Sequence, residues 1–459
     1  MAVVTPTGTR TRRNVELALL VVAVSISVAA YSYLGLATTG HLPGDKATYV
    51  GLFGVVVLAL AVHVLLRFRA RYADPVILPL ATAINGLGLV MIHRLDLAEK
   101  RQFAHSLAMR QLIWTAVGIL SACLVIWFVR DHRGLARYTY TTMAAGLALL
   151  LLPLLPVLGR NINGARIWIG LGPLSFQPGE LAKIALAIFF AGYLVTARDS
   201  LSLVGRKVLG LQLPRARDLG PILVSWLASL LVLIFERDLG TSLLFFGLFI
   251  ALLYVATERT SWIVIGMLLF VGGAFVAWTA FAHVQVRVAI WLHPFDPGNA
   301  DKAYQLIQGL YGMASGGLLG TGLGQGRPDI VPFAESDFIA AAFGEELGLT
   351  GLFALLMLYA LLVERGLRTA IGVRDGFGKL LAAGLAFSTA LQVFVVVGGV
   401  TRVIPLTGLT MPFLAYGGSS LVSNWIIIGL LLRISDSARR PGPDQAGTPP
   451  TAPTQLVAA

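Results

Sequence analysis

Apolar residues run through this chain in long blocks, separated by short clusters of polar and basic residues. A bilayer crossing needs about 20 mostly apolar residues. Twelve blocks meet or approach that length: Leu17–Ala37, Thr48–Leu66, Val76–His93, Gln111–Val129, Tyr138–Leu158, Leu181–Ala197, Leu219–Phe235, Leu239–Thr257, Trp262–Ala282, Ile339–Val363, Leu380–Val400 and Leu421–Leu432. The last is short and draws on the loop before it. Backbone groups in lipid must find partners within the segment, so each block is predicted to be a helix. The fold class that follows is all-α, a polytopic membrane helix bundle.

Composition sharpens this reading. The 459 residues are 56% hydrophobic and only 13% charged, where a soluble protein carries about 25% charged residues. A chain this poor in charge cannot cover a water-facing surface, so a soluble enzyme and a disordered chain are excluded. The single Cys123 excludes an intrachain disulfide. The net charge of +12 does not point to nucleic acid, because 22 of the 35 Lys and Arg fall in alternate inter-block segments. That bias places both termini in the cytoplasm. One loop resists the trend: Arg94, Lys100, Arg101 and Arg110 all fall on the outer side after the third block. The first block follows Arg10, Arg12 and Arg13 but exceeds a signal h-region of about 7–15 residues, so it is expected to stay in the membrane.

The organisation expected from these boundaries has four parts. Residues 1–16 form a basic cytoplasmic N-terminus and 17–137 the N-terminal transmembrane helices. Residues 138–434 form a core whose large outer loop spans about 283–338. The Pro-, Thr- and Ala-rich tail, 435–459, is expected to be disordered and cytoplasmic.

Polar residues gather on the outer side in two long segments, 159–180 and 283–338. Loops longer than about 12–15 residues are usually functional or disordered, and the aromatic and glycine content of the second argues for structure, with a short surface helix at Ala303–Ala314. Its acids are Asp296, Asp301, Asp329, Glu335 and Asp337, followed by Glu345 and Glu346. Glu180 and Lys183 are three apart and share a helix face. They read either as a structural ion pair or as part of a polar cavity that meets an anionic substrate. Asp238, before Leu239-Gly240-Thr241, reads as a helix N-cap or as a substrate contact. The glycine run Gly320–Gly326 is not a dinucleotide loop, because it lacks a βαβ setting. The seven His show no metal-ligand spacing, and neither an HExxH nor a GxSxG motif is present. A divalent cation such as Mg or Mn, held by carboxylates together with a pyrophosphate, is compatible with the acids present.

Four blocks of sequence resemble the SEDS family (shape, elongation, division and sporulation), which includes RodA and FtsW. The first is Gly164-Ala165-Arg166-Ile167-Trp168-Ile169 running into Phe176-Gln177-Pro178-Gly179-Glu180-Leu181-Ala182-Lys183, and the second is Asp238-Leu239-Gly240-Thr241. The third holds Tyr304-Gln305, Ser315-Gly316-Gly317, Gly322–Gly326, Ser336-Asp337-Phe338-Ile339 and Gly344–Gly348. The fourth runs from Pro405-Leu406-Thr407-Gly408-Leu409 through Pro412–Ala415 to Tyr416-Gly417-Gly418-Ser419-Ser420. The family usually has Ser where this chain has Gly179 and Ala415, so a hydroxyl at Ala415 is not essential here. The resemblance implies a ten-helix core, here with two further helices before it. That length favours a RodA-like member of the elongation branch.

The resemblance also implies an activity. Similar proteins polymerise lipid II, the undecaprenyl-pyrophosphoryl disaccharide-pentapeptide, by an inverting β-1,4 transglycosylation on the outer face. The family's essential acid is an Asp shortly before the Tyr-Gln pair. Asp296, in Asp296-Pro297, matches it, and Asp301 is the rival. Arg166 and Lys183 are then expected at the pyrophosphate, with Glu180 orienting Lys183. Tyr304, Gln305, Ser336, Asp337, Gly417, Gly418, Ser419 and Ser420 are expected to contact substrate. A class B penicillin-binding protein and other elongasome or divisome membrane proteins are the implied partners. Two other classes fit the topology, a lipid II flippase or other lipid transporter and a scaffold. An acid in an outer loop, away from the bilayer midplane, favours chemistry over transport.

Overall fold

The computed structural model describes residues 9–41, 46–101, 106–156, 158–162, 165–171, 174–201, 207–208, 211–212, 227–228, 236 and 238–441. Among them are fourteen α-helices: α1 Thr9–Thr39, α2 Lys46–Arg69, α3 Ile77–Ala98, α4 Leu107–Phe128, α5 Thr139–Leu151, α6 Pro178–Leu201, α7 Leu239–Thr257, α8 Thr260–Ala280, α9 Ala282–Leu292, α10 Ala300–Gly316, α11 Ile339–Glu346, α12 Gly348–Gly372, α13 Gly376–Val400 and α14 Gly418–Arg439. Among the described residues ten helices are long and apolar enough to cross a membrane, and the chain is a helical multi-pass bundle. The block at Leu219–Phe235 lies outside the described residues apart from 227–228, and the tail beyond 441 lies outside them altogether.

Burial sorts the helices into two groups. α3 and α14 are enclosed by protein along most of their length, and α13 nearly so. α1, α5 and α8 turn most of their surface outward, with Val21, Val22, Phe270, Phe275 and Val276 exposed. In a bilayer the outward apolar face meets lipid tails, which are as apolar as Leu, so its exposure is not a defect. The inner helices carry small residues for close approach. Gly88 faces the backbone of Leu414, and Gly429 faces the backbone of Ala122.

One expectation is corrected. The block Ile339–Val363 is not one helix. It breaks at Leu347-Gly348, where Gly348 has φ +67 and its Cα faces the backbone of Leu318 and Gly320. The carbonyls of Gly317 and Leu318 take the N–H groups of Leu349 and Thr350 at 2.9 and 3.1 Å. The first orphan donors of α12 are thereby satisfied from outside the helix. α11 is a short, fully buried helix, and α12 is the membrane-length one. The all-α bundle also carries a small sheet. The first outer segment folds into an antiparallel sheet, β1 (Gly159–Ile162), β2 (Ala165–Leu171) and β3 (Leu174–Phe176), in that order. Arg160 pairs with Trp168, and Ile169 with Phe176. The expected surface helix in the second outer segment is α10, longer at both ends than Ala303–Ala314.

The segment between α13 and α14 is irregular, partly buried backbone. Metal-free, water-free hydrocarbon does not tolerate open backbone groups, so such a segment needs partners from the protein. They come from polar side chains on surrounding helices. Asn85 donates to the Phe413 carbonyl at 3.2 Å, Gln111 to Ala415 at 3.0 Å and Tyr359 to Pro412 at 2.5 Å. Gln392 donates to Thr410 at 2.9 Å, and the Tyr416 N–H reaches the Glu335 carbonyl at 2.7 Å.

Candidate active site on the outer face

A cavity of about 1210 Å³ lies between the sheet, α4, α9, α10 and the start of α14. Its lining is partly apolar and aromatic, with Ile113, Trp114, Val117, Ile167 and Trp168. The same lining carries Arg110, Glu180, Asp238, Arg287, Lys302, Glu335, Ser336 and Asp337. Gly417, Gly418, Ser419 and Ser420 close it where α14 begins. Gly418 is required there, because the Trp114 ring occupies the space a side chain would need.

The sequence motifs converge on this cavity, with differences. Pro178 opens α6 at a position where a missing N–H costs nothing. Glu180 follows in its first turn, where the helix dipole favours a carboxylate. Lys183, one turn deeper, is 1% exposed and donates to Glu180 Oε2 and to Gln392 Oε1, both at 2.9 Å. Glu180 therefore lines the cavity, while Lys183 stands behind it in a structural pair. Ser419 Oγ accepts from the Gln177 N–H at 2.8 Å, and Ser423 Oγ donates to the Glu180 carbonyl at 2.7 Å, so α6 and α14 are locked together at the site.

Asp238 is the helix cap that the sequence suggests, at a position on the cavity lining. Its carboxylate caps α7, accepting from the Thr241 N–H at 3.0 Å and the Thr241 hydroxyl at 2.6 Å, and it also lines the cavity. Asp337 is bonded to Ser336 Oγ at 2.7 Å. Burial pushes the Asp337 carboxyl up from the usual carboxylate range, against the opposing pull of Ser336 and Arg287. Burial likewise pulls the Arg287 guanidinium down, against Asp238 and Asp337. Arg287 thus sits between two acids, and its Nη1 is anchored on the Leu406 carbonyl at 2.5 Å.

Asp296 and Asp301 lie elsewhere. Asp296 is exposed at the junction of α9 and α10, just before a 3₁₀ turn at Pro297–Asn299, and its side chain caps nothing. Asp301 is exposed in the first turn of α10. On that helix the cavity side is Lys302, Gln305 and Leu306, at spacings of three and four. Asp301 and Tyr304 fall off that face, and neither Asp296 nor Arg166 is among the lining residues. Gln305 donates to the Pro332 carbonyl at 2.9 Å. The cavity cations that sequence reasoning missed are Arg110, Arg287 and Lys302. Arg110 could have been found, because it stands on the outer side against the charge trend.

The glycine run is structural. Gly322 N–H bonds the Glu346 carbonyl, and Gly324 N–H bonds Glu346 Oε2, each at 2.9 Å. Arg94 joins them, donating to Glu346 Oε1 at 2.8 Å and to the Gly326 carbonyl at 2.7 Å. The loop wraps Glu345 and Glu346, which consumes both acids. Among the described residues no group of three His, Cys, Asp or Glu side chains is placed to hold a metal ion. A cation there would depend on substrate phosphates for most of its ligands.

Comparisons with known proteins agree with this architecture. The family model FTSW_RODA_SPOVE, described as cell cycle protein, matches residues 75–440. A peptidoglycan glycosyltransferase RodA from Mycobacterium bovis is 52% identical over 406 residues, 87% of this chain and 85% of that protein. A chain from a peptidoglycan synthase complex, solved in a study of how polymerization and crosslinking are coordinated, aligns with a TM-score of 0.64 at 29% identity. It covers 80% of this chain and 99% of that one. The crystal structure of the rod shape determining protein RodA from Thermus thermophilus aligns with a TM-score of 0.55 at 27% identity, over 80% and 98% of the two chains. This chain is a multi-pass membrane protein belonging to the FtsW/RodA/SpoVE family.

Proposed function

We propose that this protein is a RodA-like peptidoglycan glycosyltransferase that polymerises lipid II on the outer face of the bacterial plasma membrane. The observation that carries the reading is the cavity itself, which joins apolar and aromatic side chains to the basic Arg110, Arg287 and Lys302. A lipid-linked pyrophosphate sugar needs both surfaces. The 52% identity to a RodA glycosyltransferase supports the elongation branch.

In this reading the sugar 4-hydroxyl of one lipid II attacks the anomeric carbon of another. A carboxylate takes the hydroxyl proton, the new glycosidic bond forms, and the bond to undecaprenyl pyrophosphate breaks with its electron pair. Asp296 is the base, reaching the attacking sugar from the α9–α10 junction outside the cavity. Arg110, Arg287 and Lys302 neutralise the departing pyrophosphate, with Arg166 at the rim. A class B penicillin-binding protein supplies crosslinking. The topology has twelve crossings with both termini cytoplasmic: the ten membrane-length helices, α2 and the block at Leu219–Phe235.

The test is glycan synthesis from purified lipid II by this chain with its transpeptidase partner, in moenomycin to silence the unrelated glycosyltransferase class. Polymer is expected. Absence of polymer, with lipid II moving across liposomes instead, would establish the transporter reading.

A further inference from the structure

The second outer segment carries an apolar feature that the cavity does not use. From residue 303 to residue 326, a run of 24, it contains no Asp, Glu, Lys or Arg. At the usual charged share a soluble stretch of that length would hold about six. Within the run α10 ends, and the chain turns through Gly317-Leu318-Leu319-Gly320, with φ +55 at Gly317 and +84 at Gly320. Leu318 is 67% exposed and Leu319 83%, the highest value for a large apolar side chain among the described residues. A single exposed Leu is ordinary on a water-facing surface, but the place of this pair is not. Their turn sits on the first residues of the membrane-length helix α12. Besides the two backbone bonds from Leu349 and Thr350, Thr350 Oγ1 donates to the Leu318 carbonyl at 3.0 Å. From there α12 continues with Leu349, Phe353 and Met357 exposed at spacings of four, one apolar stripe turned to lipid.

We propose that the Leu318-Leu319 turn inserts into the leaflet on the cavity side of the membrane, with the acyl chains beneath the headgroups as its partner. The apolar stripe of α12 already meets those chains, and the turn extends it without a break. Insertion buries no charge, because the run has none. Backbone at that depth needs internal partners, and the turn has them. The Gly317 and Leu318 carbonyls are taken by α12, the Gly320 N–H bonds the Gly316 carbonyl at 2.8 Å, and the Thr321 N–H bonds the Glu345 carbonyl at 3.0 Å. Tyr311, seven residues before Leu318, is 57% exposed and lies against the Phe295 ring, centroids 6.3 Å apart. A Tyr with an apolar body and a polar tip suits the headgroup level above two inserted leucines. The near end of α10 carries Lys302 and Gln305 of the cavity lining. One helix thus joins the lining to the anchored turn and holds the cavity in register with the leaflet that presents a lipid-linked substrate. That consequence rests on the proposed function, whereas the insertion itself does not.

The test uses the full-length protein in liposomes of phosphatidylethanolamine and phosphatidylglycerol. In a Cys123→Ser background, Leu318→Cys, Leu319→Cys, Phe353→Cys and Arg327→Cys each carry one nitroxide label. Phe353 marks the lipid-facing stripe, and Arg327, with its side chain 70% exposed, marks water. Collision with oxygen, which concentrates in hydrocarbon, is compared with collision with a water-soluble nickel chelate. The oxygen-to-nickel ratio at 318 and 319 should fall near the Phe353 value and severalfold above the Arg327 value. A ratio equal to that at Arg327 overturns the proposal and leaves the turn in water. Low collision with both reagents overturns it as well, because the turn is then covered by protein. If a labelled variant does not fold, the wild type decides. A phospholipid with a diazirine on its acyl chain should, on illumination, modify Leu318 or Leu319, located by tandem mass spectrometry. Modification of Phe353 without modification of the turn overturns the proposal. Neither readout depends on glycan synthesis, so a failure here is distinct from a failure of the proposed function.

Discussion

Two sets of acids face the outer side, and they live under opposite conditions. Glu180, Asp238 and Asp337 lie in the large cavity, and each is already committed: Glu180 to Lys183, Asp238 to the α7 N-terminus, and Asp337 to Ser336. Asp296 and Asp301 are exposed on the α9–α10 segment and carry no such duty. A buried carboxylate survives by being bonded, and those bonds fix where it points. In the proposed function the inner set supplies shape and electrostatics, and proton transfer falls to the outer one. α9 is held in place, since Trp291 Nε1 donates to the Arg402 carbonyl at 3.1 Å and Arg402 Nε returns a bond to the Trp291 carbonyl at 2.7 Å.

The largest effect expected from the inner set is structural. Lys183→Met leaves Glu180 buried without its partner, a change that costs about 3–5 kcal/mol. A thermal unfolding scan should show a large drop, and Glu180→Gln in the same chain should restore part of it. A drop absent in the single variant would remove Lys183 from the structural role given to it. Gln111→Leu strips a donor from the Ala415 carbonyl and an acceptor from the Gly417 N–H, at about 1–3 kcal/mol for a buried group left unpaired. Hydrogen exchange should rise across 412–420, and an unchanged pattern would show that the segment is held by other means.

Asp337 offers a pH test of the same contrast. Its folded carboxyl is raised, so it favours the fold fully below the ordinary carboxylate range and ceases to as pH rises through the raised value. Asp337→Asn should therefore gain stability relative to wild type between acid and neutral pH, and a constant difference between the two would refute the shift. The smallest effect belongs to Asp301→Ala. It removes an exposed side chain off the cavity face, so glycan synthesis should stay near the wild-type rate. A severe loss would move the base from Asp296 to Asp301.

Much of this was legible in the sequence, for identifiable reasons. Membrane helices follow from uninterrupted apolar blocks, and the cap at Asp238 follows from Asp-Leu-Gly-Thr alone. The break at Gly348 was not legible, because it depends on carbonyls at Gly317 and Leu318 that arrive from a distant loop. Asn85, Gln111 and Gln392 were visible as polar residues in apolar blocks. Their purpose became clear only when the 401–417 backbone was seen to end on them. Lys183 was read toward substrate because its second partner, Gln392, lies 209 residues away. The sheet at 159–176 was missed as a sheet, since glycines and scattered polar residues masked its short strands.

The most direct measurement compares Asp296→Asn with Asp337→Asn in lipid II polymerisation by the intact complex with the transpeptidase partner, moenomycin present. The account predicts that Asp296→Asn loses about 10²–10⁴ in rate, the usual worth of a general base, while still binding lipid II. Asp337→Asn should keep most of its activity. Wild-type polymerisation by Asp296→Asn would remove Asp296 as the base, and abolition by Asp337→Asn alone would place the base inside the cavity; either result contradicts the account.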